Sequence, residues 1–194
     1  MKILVTGGLG FIGSHTVVEL QNEGFEVIII DNLSNSSIDV LDRITKITGK
    51  KPGFEQIDLK SKLLVEEFFK KHHDVVGVIH FAASKAVGES VEKPMKYYEN
   101  NLNTLVYLLQ ELQQKPAASF IFSSSCTVYG QAKQMPITEN APIQPAMSPY
   151  GNTKQIGEEI ITDAARVSNI KAILLRYFNP IGAHSSVEIG ELPI

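Results

Sequence analysis

Tyr150 and Lys154, a phenol and an ammonium four residues apart, are the first residues in this chain that could do chemistry. They stand as Tyr150-Gly151-Asn152-Thr153-Lys154 in a segment of helical period, so both side chains lie on one face. A free tyrosine ionises near pH ~10, too high for a base at neutral pH. A neighbouring ammonium and the positive ring of a nicotinamide favour the phenolate and lower that value. Ser123-Ser124-Ser125 ends an upstream strand candidate, and a hydroxyl there can bond the same substrate oxygen and relay its proton. The set is a general base for an alcohol from which hydride departs to NAD. The spacing alone is equally that of a surface pair; what stands upstream favours the catalytic reading.

The first strand candidate runs into Thr6-Gly7-Gly8-Leu9-Gly10-Phe11-Ile12-Gly13, and a helix follows. Gly7 permits the tight turn, Gly10 lets backbone approach a pyrophosphate at a helix N-terminus, and Gly13 allows close helix–strand packing. The pattern predicts dinucleotide binding. Asp31, at the end of the second strand, is placed to accept from the adenine ribose hydroxyls and would repel a 2′-phosphate. No Arg or Lys occurs from 32 to 42 to offset that, so the expected cofactor is NAD rather than NADP. Asp58 ends the third strand, where it either meets the adenine amino group or caps the following helix. Phe81-Ala82-Ala83 ends the fourth with small residues that suit close passage of the cofactor.

The elements that must position these residues alternate. Strand candidates are Lys2–Thr6, Glu26–Ile30, Gly53–Ile57, Val75–Phe81, Ser119–Ser123 and Lys171–Tyr177, with runs apolar on both faces, as strands covered on both sides must be. Helix candidates are Phe11–Asn22, Ser37–Thr48, Lys62–Lys71, Met95–Gln114 and Pro149–Val167, the last with Ser148 as N-cap and Pro149 at its first position. The pattern predicts an α/β fold with a doubly wound parallel sheet. Pro136, Pro142, Pro145 and Pro149 mark an extended loop that leads into the last helix. Residues 1–178 read as the dinucleotide-binding domain. Residues 179–194 show no period and read as the start of a substrate domain that the chain leaves incomplete.

The chain has 194 residues, 43% hydrophobic and 20% charged, with a net charge of −3. That excludes collagen, coiled coil and disordered tail, and gives no basic footprint for nucleic acid or an anionic membrane. No apolar run approaches the ~20 residues of a membrane span, and the N-terminus lacks a signal-peptide core. Cys126 is the only cysteine, which fits a reducing compartment, and a cytoplasmic protein is expected. Asn32-Leu33-Ser34 and Asn35-Ser36-Ser37 are then chance sequons. His72-His73-Asp74 reads as a solvated turn, and no metal site is expected.

This layout resembles the extended branch of the short-chain dehydrogenase/reductase superfamily. The strings TGGLGFIGSH, IDNLSNS, HFAASKAVGES, YYENN, FIFSSSCTVYG, SPYGNTK and LRYFNPIGAH are similar, within it, to the UDP-glucose 4-epimerase family. The resemblance implies NAD contacts at Phe11, Ile12, Asp31, Asn32, Leu33, Ser34, Asn35, Ser36, Asp58, Leu59, Phe81, Ala82, Ala83, Ser84, Lys85 and Asn100. It implies Ser125, Tyr150 and Lys154 at the chemistry, Phe178 beside the nicotinamide and Asn179 on the nucleotide-sugar diphosphate. The implied reaction oxidises C4 of a UDP-hexose with Tyr150 as base, turns the 4-keto sugar over, and returns hydride to its other face. The related 4,6-dehydratases carry an Asp-Glu pair where this chain has Cys126 and Thr127, which argues against dehydration. A non-catalytic NAD-binding module is the alternative of another class, against which the intact Ser125, Tyr150 and Lys154 set speaks. Family members run well beyond 194 residues, so a truncated, NAD-binding chain that epimerises poorly alone is expected. The resemblance also implies a homodimer in the full-length parent, built on the Met95–Gln114 and Pro149–Val167 helices.

Overall fold

The computed structural model describes residues 1–132 and 134–191. Six parallel strands are β1 (Lys2–Thr6), β2 (Glu26–Asp31), β3 (Gly53–Gln56), β4 (Val75–His80), β5 (Ala118–Ser125) and β6 (Ile170–Tyr177). Their order across the sheet is β3-β2-β1-β4-β5-β6. The connections lead outward to one side from β1 and to the other from β4, so the carboxyl ends of β1 and β4 flank the switch point where such sheets bind ligands. The helices are α1 (Phe11–Asn22), α2 (Asp39–Thr48), α3 (Lys62–Lys71), α4 (Val87–Glu92), α5 (Pro94–Gln113) and α6 (Pro149–Arg166), with a 3₁₀ turn at Cys126–Tyr129. This is the doubly wound sheet that the alternation predicts. Among the described residues no helix is long and apolar enough to cross a membrane.

Period-two alternation splits the core into two layers. Leu4, Ile28, Ile30, Val78, Phe120 and Phe122 point to the face covered by α3, α5 and α6. Val5, Val27, Ile29 and Ile79 point to the opposite face, against Val17 and Val18 of α1 and Val40, Leu41 and Ile44 of α2. The expectation of cover on both faces fails at β6. Its Ala172 and Leu174 pack into the α6 layer, while Ile173 is 54% and Leu175 38% exposed.

Local signals set most of the boundaries. Ser61 caps α3 by accepting from the Leu64 N–H at 3.4 Å, and Ser148 caps α6 by accepting from the Gly151 N–H at 3.1 Å. Pro94 and Pro149 each stand in a first turn, where the missing N–H has no partner to lose. The second helix begins at Asp39, two residues later than its period suggests, because the Ser37 hydroxyl accepts from the Asp39 N–H at 3.3 Å and starts the turn from outside. The short α4 left no signal, since six residues are too few to show a period.

Candidate active site

The glycine turn forms at the carboxyl end of β1, where the Gly7 N–H donates to the Ile30 carbonyl at 2.8 Å. Gly7 has φ +66°, and a Cβ there would lie 2.8 Å from the Ala82 nitrogen, so β4 can pass close only because the side chain is absent. Gly13 serves differently from the expectation. A Cβ there would lie 2.8 Å from the Gly8 Cα, so it packs the helix start against the turn's own backbone rather than against a strand. Gly10 is the N-cap of α1 and offers no side chain to cap it. The first-turn N–H groups of Phe11, Ile12 and Gly13 are thereby left for an anion, and the helix dipole favours negative charge there.

Asp31 is 6% exposed and ties this turn to the loop after β2. It accepts from the Leu9 N–H at 3.2 Å, the Leu33 N–H at 3.0 Å and the Ser36 hydroxyl at 2.8 Å. Of the two readings of Asp58, the structure removes one: Ser61 is the helix cap, and Asp58 accepts from the Lys60 N–H at 3.0 Å beside the cleft.

Ser125, Tyr150 and Lys154 converge from two elements. Ser125 is the last residue of β5 and accepts from the Thr127 N–H at 3.2 Å. Tyr150 is the second residue of α6 and Lys154 lies one turn further on. Lys154 is 4% exposed; Nζ donates to the Ser123 carbonyl at 2.7 Å, sits 4.8 Å from the Phe122 ring centre and 5.7 Å from that of Tyr150. Burial pulls its ammonium down to about 8. Burial also pushes the Tyr150 hydroxyl above its usual value, against a hydrogen bond with Ser125 that works the other way. The net shift at Tyr150 is therefore upward, opposite to the expected lowering, because desolvation is the larger effect.

Two adjoining clefts collect these residues. The first, about 600 Å³, is lined by Gly7, Gly10, Phe11, Ile12, Gly13, Asp31, Asn35, Ser36, Phe81, Ala82, Ala83, Lys85, Ser125, Tyr150, Lys154, Phe178 and Asn179. The second, about 650 Å³, is lined by Asn32, Ser34, Asp58, Leu59, Ser84 and Asn100, and shares Asn35, Ala82, Ala83 and Lys85 with the first. Leu33 lines neither; it packs on the core beside β2. The motif His72-His73-Asp74 lies elsewhere, with His72 donating to Glu55 at 2.6 Å and packed on Phe68.

The structure also brings in residues for which the sequence suggested no individual role. Asn101 accepts from the Ser84 N–H at 2.8 Å and donates to the Thr153 hydroxyl at 3.1 Å, joining the β4 exit loop to α6. Arg43 lines the first cleft and donates to the Glu188 carbonyl at 3.2 Å, so a guanidinium does reach the cleft, from just past the stretch that lacks bases. Glu188, Ile189, Gly190 and Glu191 form the opposite wall. That segment is held by a bridge between Ala183 and Gly190, by an ion pair of Glu188 with Lys46 at 2.6 Å, and by Ile189, 5% exposed against the α2 layer. Of the expected segment 179–194, residues 192–194 lie outside the described residues. The long sequence separation of Lys46 and Glu188 explains why neither was legible.

These features suit a dinucleotide. The cradle at Gly7 and Gly13 is too tight for any Cβ, the α1 N–H groups stand free for a pyrophosphate, and Asp31 offers a carboxylate where ribose hydroxyls would pass.

Comparison with known proteins agrees. Residues 3–190 match the NAD dependent epimerase/dehydratase family. The chain is 48% identical over 194 residues to the UDP-glucose 4-epimerase of Haemophilus influenzae and 49% identical over 194 to that of Bacillus subtilis, in both cases over 100% of this chain and 57% of the relative. Among solved structures it is similar to a UDP-glucose-4-epimerase from Stenotrophomonas maltophila with bound NAD and formylated UDP-arabinopyranose, at TM-score 0.94 and 44% identity over 100% of this chain and 57% of that one. It is similar also to the Bifidobacterium longum enzyme in complex with NAD+ and UDP, at TM-score 0.94 and 45% identity over 98% of this chain and 57% of that one. The chain thus spans 57% of the length of the curated relatives it matches.

Proposed function

The chain belongs to the NAD dependent epimerase/dehydratase family, and on that premise we propose that it is the NAD-binding part of a UDP-glucose 4-epimerase. The observation that carries this reading is the convergence of Ser125, Tyr150 and Lys154 on the cleft walled by the glycine turn. The proposed reaction interconverts UDP-galactose and UDP-glucose in galactose metabolism, in the cytoplasm. NAD held in this cleft would supply the hydride acceptor and donor for C4 of the hexose, so no outside redox partner would be consumed. Tyr150 removes the C4 hydroxyl proton and later gives one back. Ser125 holds the same oxygen by a hydrogen bond, and Lys154 supplies positive charge below the phenolate. Asp31, with Asn32, Ser34, Asp58, Leu59 and Asn100, would hold the adenosine half. Phe178 would flank the nicotinamide and Asn179 would bond the diphosphate of the sugar nucleotide.

Residues 1–178 are proposed as the NAD-binding domain, and 179 onward as the beginning of the substrate region. The homodimer is proposed to pair α5 and α6 of two protomers. Cys126 and Thr127 supply no carboxylate, which favours epimerisation over dehydration. The testing experiment is a coupled assay of UDP-galactose conversion with bound NAD quantified in the same sample. Conversion by the full-length protein, lost on Tyr150→Phe, supports the reading. NAD bound without conversion by the full-length protein overturns it in favour of a non-catalytic NAD-binding module.

A further inference from the structure

Lys154 has a carboxylate one helical turn away, yet does not pair with it. Tyr150, Lys154 and Glu158 follow one another at four-residue spacing and so share the face of α6 that meets the sheet. Glu158 is 5% exposed and fully engaged elsewhere. Its Oε1 accepts from Arg176 Nε at 2.9 Å and from the Ser124 hydroxyl, and its Oε2 accepts from Arg176 Nη2 at 2.7 Å. Arg176, on β6, is fixed in turn by donating to the Tyr129 hydroxyl at 3.1 Å and by stacking 4.9 Å above that ring. This fork-to-carboxylate geometry is the strongest ion pair a side chain can offer Glu158.

We propose that Arg176 is a positioning residue that holds the charge of Glu158 away from Lys154, so that the ammonium beneath Tyr150 stays unneutralised. The inference rests on the reading of Lys154 as the support of a phenolate at Tyr150. With all three groups ionised the cluster carries a net single positive charge. Without Arg176, Glu158 has one buried cation within a turn, Lys154, and the net charge under Tyr150 falls to zero.

The other ionisable groups on the elements packed around Lys154 do not alter this count. His80 on β4 is held neutral by burial and by Lys154 itself, with its pKa down to about 3. Burial pushes the hydroxyls of Tyr177 on β6 and Tyr97 on α5 above their usual value, so both are neutral at pH 7. Glu89 on α4 is taken by Tyr97 at 2.8 Å and Lys96 at 2.8 Å. Among the described residues no carboxylate oxygen lies within 4 Å of Lys154, in keeping with an ammonium whose pKa burial has lowered.

The test is a pH titration of the Lys154 Cε resonance in the ¹³C-lysine-labelled chain, assigned by its loss in Lys154→Arg. In the unaltered chain the midpoint is expected near 8. Arg176→Met should raise it by roughly one unit or more as Glu158 turns to the ammonium. Glu158→Gln combined with Arg176→Met should return it to the unaltered value, because both charges are then gone. An unmoved midpoint in Arg176→Met, or a double variant that fails to return, overturns the proposal. If Arg176→Met does not fold, the double variant decides alone, since it leaves no newly unpaired charge in the interior. A midpoint at the unaltered value supports the proposal, whereas a fall by a unit or more shows that Glu158 was the counter-charge of Lys154 and overturns it. The titration needs no turnover. Full-length enzyme that stays active as Tyr150→Phe would therefore sink the functional reading and leave the charge assignment standing.

Discussion

Thr6 and His80 are joined by a hydrogen bond of 2.7 Å between Oγ1 and Nδ1, which ties the carboxyl ends of β1 and β4 together beneath the switch point. The Ala82 N–H donates to the same hydroxyl at 3.4 Å, so Thr6 Oγ1 joins the His80 ring to the backbone that leaves β4. The ring stacks on Phe122, 6.0 Å between centres. The pair fixes the backbone step from Gly7 to Ala82 on which the cleft is built.

This predicts acid sensitivity. Burial, aided by the charge of Lys154, lowers the pKa of His80 from 6.5 to about 3. The unfolded chain therefore binds the extra proton across that window and the folded chain does not. Stability is whole above about pH 6.5 and falls as the pH drops toward 3, by up to ~1.4 kcal/mol per unit from this group. Urea midpoints between pH 7 and 4 should show the slope, and His80→Gln should flatten it. An equal slope in both proteins would refute the assignment.

Gly7→Ala should be among the costliest single changes in the chain. It forces an alanine to φ +66° and drives a Cβ to 2.8 Å from the Ala82 nitrogen, at about 2 kcal/mol or more. Thermal unfolding should show a lower midpoint together with lost NAD retention. An unchanged midpoint would mean that β4 can yield there.

Tyr150→Phe removes one oxygen from a side chain that is half-buried in the cleft wall. Epimerisation by the full-length protein should fall by about 10²–10⁴-fold, the usual share of a general base. Bound NAD, quantified in the same sample, should be unchanged.

Ile189 holds the far wall of the first cleft by one buried side chain. Ile189→Asp removes about 1.5 kcal/mol or more of docking energy. NAD release, followed after dilution into an NAD-scavenging mixture, should speed up on the order of tenfold. The sheet behind it should keep its unfolding midpoint within ~1 kcal/mol, because Ile189 covers the edge of the α2 layer rather than its centre. Release at the unaltered rate would show that the segment does not retain the cofactor.

The sequence by itself determined the six strands and every helix except the short α4. Hydrophobic period, the Ser148 cap and the first-turn Pro149 are local signals, and each reports on residues within a turn or a strand of itself. The same locality made the glycine turn, Asp31 and the Tyr150–Lys154 spacing legible. What the tertiary structure decided lies between residues far apart in the chain. It made Gly13 a partner of the turn's backbone rather than of a strand, gave the cap of α3 to Ser61 and so freed Asp58, and let desolvation push the Tyr150 hydroxyl upward. It also placed Arg43 and Ile189 on the cleft and bound Glu158 to Arg176 across two elements. Such pairs carry no period and no motif. Their partners meet only when β5, β6 and α6 pack, and the burial that then sets their charges is a property of the packed molecule.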